Sequence, residues 1–369
     1  MKAALYHGRR DIRFEDIAKP VPAEHELLLQ ITSVGICGTD GAEYAAGPKM
    51  FPIEHLHGVT GHCGPMVPGH EFAGIVASTG AAVAGFSEGD LVTSGAGISC
   101  GHCACCLAGR TNLCELYATV GLQRNGALAE FTTVPAACCA NVEQRALTSD
   151  VAAMAQPMAI AVHAARRGRL QRDDHVVVLG TGGIGAFLVH AAVKAGARVT
   201  AVDLDERRLA VAASLGAEIT IHVSRDTPLL DQLAGRGLAP TVVYECTGTA
   251  PVIEAAIALT ARGGRVVVVG LQEGEALVDL LSVALQEKEL VGTLAHVFGA
   301  DFGHAVDLLE DGVDLWSEVA PSVLPLEDLV DRGLEPMIRG DPTPIKVLLD
   351  PRIEAPRPMR TKRGHQSPR

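Results

Sequence analysis

The chain has 369 residues, of which 48% are hydrophobic and 20% charged, and its formal net charge is −12. This length suffices for two domains with a large buried core. The apolar runs are all broken before the roughly 18 residues that a membrane span needs. The N-terminal segment is too charged for a secretion signal, and the acidic balance disfavours nucleic acid as a partner. We therefore expect a cytoplasmic protein that binds neither membranes nor nucleic acids.

The N-terminal segment alternates short strand-like runs with turn residues, which is typical of a β-rich domain. Predicted strands cover Lys2–Tyr6, Ile12–Glu15 and Glu26–Val34. The third strand leads into GICGTD, where Cys37 stands between two glycines and Thr39 follows two residues later. A cysteine in this setting is either a small buried side chain or a functional thiol, and the local sequence favours neither.

A long irregular stretch is predicted over residues 41–68, and it contains His55, His57, His62 and Cys63. Long loops inside compact domains are often functional or mobile. A second metal site is one interpretation of these four side chains. We prefer to interpret them as loop residues near a pocket, because their spacing fits no common ligand pattern.

The segment PGHEFAG follows and opens a predicted strand with His70 and Glu71 at its start. Neighbouring side chains on a strand point to opposite faces, so both can reach one metal ion only at a bend. We expect His70 to be a metal ligand. Glu71 is expected close to the metal, either as a hydrogen-bonding neighbour of a ligand or as a direct ligand.

The most specific metal signal is a cluster of cysteines with the spacing C-x2-C-x2-C-x7-C. Four thiolates suit a closed tetrahedral site of the kind that structural zinc requires. An iron–sulfur cluster is the alternative, but the compact x7 return and the lack of a proline after the last cysteine favour zinc. Cys105 is expected to point away from the site. The predicted ligands are Cys100, Cys103, Cys106 and Cys114.

A helix is predicted to begin near Asp150, after a Thr-Ser-Asp N-cap sequence, and to continue through Ala165. Pro157 lies inside this pattern. We expect it to break the helix and expose Gln156, since proline removes an intrahelical hydrogen bond.

A dinucleotide site is predicted from the order strand, G-x-G-x-x-G, helix, strand, acid in VVVLGTGGIGAFLVHAAVKAGARVTAVD. The three glycines allow a tight turn, close approach of a pyrophosphate and close helix packing, and the phosphates meet a helix N-terminus. Asp203 favours NAD by accepting bonds from the ribose hydroxyls, whereas Arg207 and Arg208 can tolerate the phosphate of NADP. The predicted cofactor-binding residues here are Gly180, Gly182, Gly183, Ile184, Gly185, Asp203 and Arg208.

Alternating strands and helices continue to about Ala295, which predicts a parallel α/β sheet. Such sheets bind ligands beyond the carboxyl ends of their strands. Residues 296–350 add a helix and a late strand that we expect to rejoin the first domain. The segment 351–369 is rich in proline and arginine and is predicted to be a disordered basic tail. Further cofactor contacts are predicted at Thr247, Val269, Gly270 and Leu271.

Taken together, these motifs resemble those of the zinc-dependent medium-chain alcohol and polyol dehydrogenases over about residues 2–350. The branch that the chain resembles contains 2,3-butanediol, sorbitol and threonine dehydrogenases. The resemblance is carried by GICGTD, HGVTG, PGHEFAG, the four-cysteine lobe, QPMAIAVHA, GTGGIG, LQEKELVGT and KVLLDP. It implies a GroES-like β-rich catalytic domain over 1–157 and 296–350, and a Rossmann doubly wound parallel-sheet domain over 158–295.

The resemblance also implies a catalytic zinc held by Cys37, His70 and the residue at position 156, with Glu71 adjacent. Thr39 would pass the alcohol proton towards solvent, while hydride moves between the substrate carbon and NAD. Zinc would act as a Lewis acid on the alcohol oxygen. Relatives form dimers and tetramers, so a homo-oligomer is expected.

The sequence departs from this family pattern at two positions. Gln156 stands where polyol dehydrogenases usually have glutamate, which predicts a more electrophilic and less tightly held zinc. Ala42, followed by Glu43, stands where a histidine of the proton relay is usual. We expect a rerouted relay, through the cofactor ribose or through His55 or His57.

The leading hypothesis is an NAD-linked, zinc-dependent dehydrogenase of a vicinal diol, polyol, sugar or cyclitol. A zinc-free enone or quinone reductase on the same fold is a second hypothesis, disfavoured because it needs neither Cys37, His70 nor the cysteine lobe. A third is a non-catalytic protein that binds zinc and a nucleotide, since fold and function can separate.

Overall fold

The structure, a computed structural model, describes residues 1–272, 274–341 and 343–362. The chain divides into two compact units, with boundaries between residues 159 and 160 and between residues 296 and 297. The sequence predicts these boundaries at 157/158 and 295/296. No helix of the described residues is long and apolar enough to cross a membrane.

The first unit begins with a β-rich segment, as predicted. Its first strands extend slightly beyond the predicted runs. Its strands are β1 Lys2–Gly8, β2 Asp11–Asp16, β3 Glu26–Gly35, β4 Glu71–Thr79, β5 Leu91–Ser94, β6 Gly97–Ile98, β7 Ala118–Thr119, β8 Phe131–Pro135 and β9 Cys139–Asn141. The helices of this part of the chain are α1 Gly38–Ala46, α2 Ala104–Leu107 and α3 Ser149–Ala152, with 3₁₀ turns at Thr111–Leu113 and Ala136–Cys138.

Strand β3 organises this unit because almost all of its ten residues are buried. It pairs antiparallel with β4 from Leu27 to Gly35 and with β8 from Glu26 to Gln30. The β3–β4 pairing joins Gly35 to Glu71. The segments that carry the GICGTD and PGHEFAG motifs therefore meet at one end of this strand pair.

The prediction of an irregular stretch from residue 41 is wrong for its first residues, which belong to helix α1. The carboxylate of Asp40 accepts a hydrogen bond from the N–H of Cys37 at 2.9 Å. Such an acidic side chain in the first turn satisfies a free N–H and starts a helix. The irregular loop thus begins at Gly47, after α1 has ended.

The second unit consists of strands that alternate with helices. Two central strands, His175–Leu179 and Val242–Glu245, lack alternation and are buried on both faces, as expected for a parallel sheet covered by helices. Helix α4 Ala155–Arg167 begins in the first unit and continues into the second. The elements that follow it are β10 His175–Leu179, α5 Gly185–Lys194, β11 Arg198–Asp203, α6 Glu206–Ser214, β12 Ile219–His222, α7 Leu229–Leu233, β13 Val242–Glu245, α8 Ala250–Leu259, β14 Arg265–Val268, α9 Leu280–Leu285 and β15 Glu289–Gly292.

These six strands form one parallel sheet in the order β12-β11-β10-β13-β14-β15. The order reverses between β10 and β13, because the chain passes from one edge of the sheet back to its middle. A crevice for a ligand forms at such a switch point, outside the carboxyl ends of the strands. The prediction of a Rossmann-type doubly wound sheet is confirmed.

The helical stretch predicted from Asp150 to Ala165 is broken, as expected, into two helices, α3 and α4, but the predicted position of the break at Pro157 is wrong. The break lies at residues 153–154, upstream of Pro157. Pro157 is tolerated in the first turn of α4, where its missing N–H would have no intrahelical partner. Gln156 is consequently buried, at 6% exposure, rather than exposed by a kink.

The C-terminal part of the chain returns to the first unit. Its strands β16 (Ser322–Pro325), β17 (Leu348–Asp350) and β18 (Arg357–Pro358) extend the sheet of β3, giving the order β18-β16-β17-β3-β4-β5-β9. The elements are α10 Gly303–Asp311, α11 Trp316–Val319, β16 Ser322–Pro325, α12 Glu335–Arg339, β17 Leu348–Asp350 and β18 Arg357–Pro358, with π-helical turns at Phe298–Phe302 and Leu329–Leu334 and a 3₁₀ turn at Leu326–Asp328.

The prediction of a disordered tail from residue 351 is wrong for residues 351–362. Strand β18 pairs with β16, and Met359 is buried. Composition alone did not reveal this order, because it rests on an ion pair between Arg357 and Asp150, two residues far apart in sequence. Residues 363–369 lie outside the described part of the chain.

Candidate metal centres and dinucleotide site

One candidate metal centre lies at the end of the β3–β4 pair in the first unit. Cys37, His70 and Glu71 each offer a ligand atom, and these three atoms all lie within 4.8 Å of one another. His70 and Glu71 are buried, whereas Cys37 is partly exposed. A thiolate, an imidazole and a carboxylate at this separation form a donor set that suits zinc.

Asp40 contacts two of these residues, a role that the sequence reasoning missed. Its Oδ2 accepts the hydrogen bond from the backbone N–H of Cys37, and its Oδ1 lies 3.6 Å from the side-chain Nδ1 of His70. Burial disfavours a charged imidazole, but the negative charges of Asp40 and Cys37 outweigh burial and raise the pKa of His70 to about 9. The surroundings of His70 are therefore arranged for positive charge, which a metal cation would also supply.

Glu71 forms a buried ion pair with Lys346. Lys346 Nζ lies 2.8 and 2.6 Å from the two carboxylate oxygens and also donates to the carbonyl of Ile36 at 3.3 Å. Burial lowers the pKa of Lys346, but the charges of Glu71 and Cys37 raise it to a greater extent. Sequence reasoning missed Lys346, although this lone lysine in the apolar KVLLDP segment was a signal.

Gln156 and Thr39 complete the residues predicted for this centre. Gln156 Oε1 is buried and has no hydrogen-bond partner among the described residues. Asp40 Oδ1 and His70 Nδ1 are likewise buried without one there. Unsatisfied buried polar atoms are costly, so they favour a bound cation. The Thr39 hydroxyl lies 3.8 Å from the Cys37 sulfur.

The histidine-rich loop does not form a metal site in the described structure, where His55, His57, His62 and Cys63 belong to no group of converging ligand atoms. His57 Nδ1 lies 3.1 Å from Thr60 Oγ1, and His55 is exposed. The rerouted proton relay through His55 or His57 stays a prediction.

Glu43 follows Ala42, which stands at the usual position of the relay histidine. The Glu43 carboxylate binds the backbone of the loop that follows α1. Its buried carboxylate accepts hydrogen bonds from the N–H groups of Lys49 and Met50 at 2.8 and 2.6 Å. Tyr6 donates its hydroxyl proton to the Glu43 carbonyl at 3.0 Å. Glu43 thus fixes where the loop leaves α1.

A second candidate metal centre consists of Cys100, Cys103, Cys106 and Cys114, whose sulfur atoms lie within 4.8 Å of one another. Backbone N–H groups point at these sulfurs, from Cys103 to Cys100 at 3.3 Å and from Cys100 to Cys114 at 3.2 Å. Cys105 does not belong to the group.

The thiols of this second centre ionise unequally. Backbone N–H groups of Cys106 and Glu115 lower the pKa of Cys103 to about 6, whereas burial raises the pKa of Cys106 to about 12. Four thiolates this close together repel one another. A bound divalent cation removes this conflict, since thiolates are the form that binds zinc.

The predicted dinucleotide turn lies in the second unit, between β10 and α5. Gly180 has φ +87°, and a Cβ there would lie 2.7 Å from Thr247 Cγ2. A Cβ on Gly185 would lie 1.9 Å from the Gly180 carbonyl oxygen, so only glycine fits either position. No atom of the described residues other than its chain neighbours lies within 4 Å of the Cβ position of Gly183, which leaves space beside the backbone. Ile184 is the N-cap of α5.

Asp203 ends β11 beside this turn. Its Oδ2 accepts hydrogen bonds from the Thr181 N–H at 2.6 Å and hydroxyl at 3.1 Å, and its Oδ1 accepts one from the Asp205 N–H at 3.0 Å. The Arg208 guanidinium approaches from α6, since Nη1 lies 3.4 Å from the Cβ position of Gly182. Arg207 is ion-paired with Asp205 instead.

The other predicted cofactor residues follow β13 and β14. The buried Glu245 carboxylate accepts hydrogen bonds from the N–H groups of Thr247 at 2.7 Å and Gly248 at 3.0 Å. The N–H groups of Val269 and Gly270 both donate to the Glu245 carbonyl at 2.9 Å. Glu245 therefore organises this edge, although the sequence reasoning did not single it out. Leu271 is 74% exposed.

Two family models match parts of this chain. Residues 23–144 match the family model of the alcohol dehydrogenase GroES-like domain, and residues 183–311 match that of zinc-binding dehydrogenases. An L-threonine 3-dehydrogenase from Idiomarina loihiensis is 31% identical over 347 residues, which are 92% of this chain and 97% of the relative.

The chain belongs to the zinc-dependent medium-chain alcohol dehydrogenase family. It is an oxidoreductase, and the expected GroES-like and Rossmann domains are confirmed. Within this family, the (R,R)-butanediol dehydrogenase of Bacillus subtilis is 29% identical over 357 residues, 95% of this chain and 100% of the relative. The crystal structure of a 2R,3R-butanediol dehydrogenase from Bacillus subtilis superposes with a TM-score of 0.86 and 28% identity, covering 95% of this chain and 99% of that chain.

Proposed function

We propose that the protein interconverts a secondary alcohol and its ketone with NAD, the alcohol being a vicinal diol, polyol, sugar or cyclitol. The observation that carries this proposal is the convergence of the ligand atoms of Cys37, His70 and Glu71 within 4.8 Å. The relatives named for butanediol and threonine support a substrate with a hydroxyl group next to another polar group.

We assign the catalytic zinc to Cys37, His70 and Gln156, with Glu71 beside it, and the structural zinc to the four clustered cysteines. When bound, the catalytic zinc would polarise the alcohol oxygen, and NAD would accept the hydride. Asp40 orients His70 and Cys37, and Lys346 neutralises Glu71. Thr39 relays the alcohol proton towards solvent, an assignment supported by its 3.8 Å distance from the Cys37 sulfur. The clustered thiols also support the expected cytoplasmic location, where reducing conditions keep such groups free for metal.

A panel of diols, polyols and cyclitols tests this proposal, with NADH formation followed by absorbance and zinc counted by elemental analysis. We expect about two zinc ions per chain, NAD-dependent oxidation of at least one diol or polyol, and loss of that activity in Cys37→Ser with folding intact. Reduction of enones by a protein without zinc would favour the quinone-reductase alternative. Zinc and NADH binding without any turnover would favour a non-catalytic protein.

We also propose that the protein is a homo-oligomer that pairs through the surface of α9 and β15, called here the leucine face. None of the six described side chains of α9 is buried, although five of them are apolar. Strand β15 is an edge of the parallel sheet. A large exposed apolar patch and an open strand edge both indicate an interface, and a second copy offers the same surface about a two-fold axis. The exposed leucines of this face are Leu280, Leu281 and Leu285 on α9 and Leu290 on β15.

Sedimentation velocity tests the leucine face. We expect a dimer or tetramer for the unchanged chain and a smaller species for the double variant Leu281→Asp, Leu285→Asp, because buried carboxylates oppose association. Val21→Asp is the matched control, since Val21 is 86% exposed and lies in the other unit. A monomeric native chain, or unchanged assembly in the double variant, would contradict this interface.

A further inference from the structure

The C-terminal segment 351–362, called here the strap, makes an ordered contact that the family resemblance does not include, because the resemblance ends near residue 350. Strand β18 pairs antiparallel with β16, joining Arg357 to Val323 and Pro358 to Ser322. The N–H of Met359 donates to the Pro321 carbonyl at 3.1 Å. The strap is thereby fixed along the first unit before it meets α3.

The strap ends on the N-terminus of α3 through a closed set of hydrogen bonds. Arg357 donates from Nη1 and Nη2 to the two carboxylate oxygens of Asp150, at 2.6 and 2.8 Å. The N–H of Arg360 adds a bond to the same carboxylate at 2.9 Å. The hydroxyl of Thr148, the N-cap residue of α3, donates to the Arg360 carbonyl at 2.6 Å.

This ion pair is bidentate and largely buried, which distinguishes it from an ordinary surface ion pair. The side chain of Asp150 is 1% exposed and that of Arg357 is 17% exposed. Paired N–H bonds from a guanidinium fix both distance and orientation of a carboxylate. Exposed ion pairs, in contrast, contribute little. The position of α3 is therefore tied to the strap.

Helix α3 leads directly to Gln156. Every residue from Val151 to Ala155 is fully buried. Hydrogen bonds from Ala153 to Ser149 and from Met154 to Val151 keep this stretch in a tight turn. The other end of α3 is held by Thr93, whose hydroxyl donates to the Ala152 carbonyl at 2.7 Å. Close-packed interiors transmit small displacements, so a shift of Asp150 moves the first turn of α4.

We propose that the strap is a positioning element of the catalytic zinc site, in which Arg357 holds Asp150 and thereby holds Gln156 towards the metal. This inference rests on the proposed function, because it takes Gln156 as a zinc ligand. The neutral amide of Gln156 is a weaker ligand than a carboxylate, so its hold on zinc depends more on correct placement. Arg357 itself touches no substrate or metal.

The experiment measures zinc release from the holoenzyme to a chromophoric chelator, which resolves the catalytic zinc from the four-cysteine zinc in one molecule. In Arg357→Ala we expect release of the catalytic zinc to accelerate at least about tenfold, which corresponds to about 1.4 kcal/mol, and release of the four-cysteine zinc to stay unchanged. Arg357→Lys should give an intermediate rate, since it keeps the charge but loses the two-pronged bond. Should Arg357→Ala not fold, Arg357→Lys carries the same comparison.

Lys362→Ala is the matched control, because Lys362 lies on the same strap but forms an exposed ion pair with Asp314 at 2.9 Å. We expect native release rates for this variant. The double variant Gln156→Ala, Arg357→Ala decides whether the strap acts through Gln156: release no faster than in Gln156→Ala alone is expected, since coupled sites are non-additive.

Fully additive effects, or equal acceleration of both zinc ions, would overturn the proposal, since either would mean that Arg357 only stabilises the fold. Native protein that holds a single zinc, retained in the cysteine lobe, would overturn the proposed function as well. Two zinc ions with additive rates would overturn the strap proposal alone.

Discussion

At the scale of single residues, the charges around the candidate catalytic centre determine how strongly it would attract a metal ion. Glu71 and Asp40 bring negative groups to one buried region beside the partly exposed Cys37, and Lys346 supplies a positive one. Gln156 adds no charge, where a glutamate would add another negative one. With Gln156 as the proposed third ligand, the centre would hold its cation with less electrostatic attraction than a centre with glutamate at that position.

The variant Gln156→Glu tests this reasoning. We expect the catalytic zinc to dissociate about ten times more slowly, because an added negative charge near a cation is worth at least about 1.4 kcal/mol in a poorly solvated site. The turnover number should fall, because a more neutralised zinc polarises the alcohol less. Chelator kinetics and kcat on the best diol measure both effects, and the four-cysteine zinc serves as internal control. Faster zinc loss would show that the carboxylate does not reach the metal.

The proposed role of Asp203 in binding the ribose of the cofactor is tested by removing its charge. In Asp203→Ala we expect the KM for NAD to rise about 10- to 100-fold, since a hydrogen bond to a charged group contributes about 1.5–3 kcal/mol. The ratio of kcat/KM for NAD to that for NADP should fall. Without the carboxylate, the positive charge of Arg208 should be the nearest charge to the 2′-phosphate of NADP. The matched control is Glu206→Ala, a neighbouring acid whose side chain is 82% exposed. An unchanged ratio of kcat/KM for the two cofactors would contradict the assignment.

At the scale of elements, the cysteine lobe consists of helices and strands so short that we expect their stability to depend on a bound metal. Helix α2 has four residues, and strands β6 and β7 have two each. Such pieces are too short to be stable by themselves. A structural zinc would supply the missing stability, since binding free energy contributes directly to folding.

In Cys103→Ser we expect loss of one zinc per chain and a melting temperature lower by several degrees, given about 2–4 °C per kcal/mol for domains of this size. Cys105→Ser, in the same turn but outside the ligand group, should change neither quantity. Elemental analysis and thermal unfolding measure both variants. An equal loss of zinc in Cys105→Ser would contradict the ligand assignment.

At the scale of the whole molecule, the candidate metal-binding and cofactor-binding residues lie in different units. Both candidate metal centres consist of residues from the first unit, and the predicted dinucleotide residues all belong to the second. Cofactor binding and metal binding should therefore be separable.

We expect a chelator that removes the catalytic zinc to abolish alcohol oxidation while NADH still binds. Quenching or enhancement of NADH fluorescence measures the binding, and restoration of activity by added zinc is the control for damage. A protein that loses NADH affinity along with its metal would contradict this separation.

The sequence by itself determined what depends on local patterns. The G-x-G-x-x-G motif and Asp203 predicted the dinucleotide turn. The closest approach that requires a glycine there, of Gly185 to the Gly180 carbonyl, lies within one strand, its turn and the following helix. The cysteine spacing specified the lobe because its ligands are neighbours in the chain.

Only the tertiary structure decided what depends on distant partners. Lys346 meets Glu71, Asp40 lies beside His70, and Arg357 orders a segment whose composition predicted disorder. The burial of Gln156 follows from the break upstream of Pro157. In each case the stabilising contact joins groups whose proximity exists only after the sheet and helices have packed, so no pattern of neighbouring residues could reveal it.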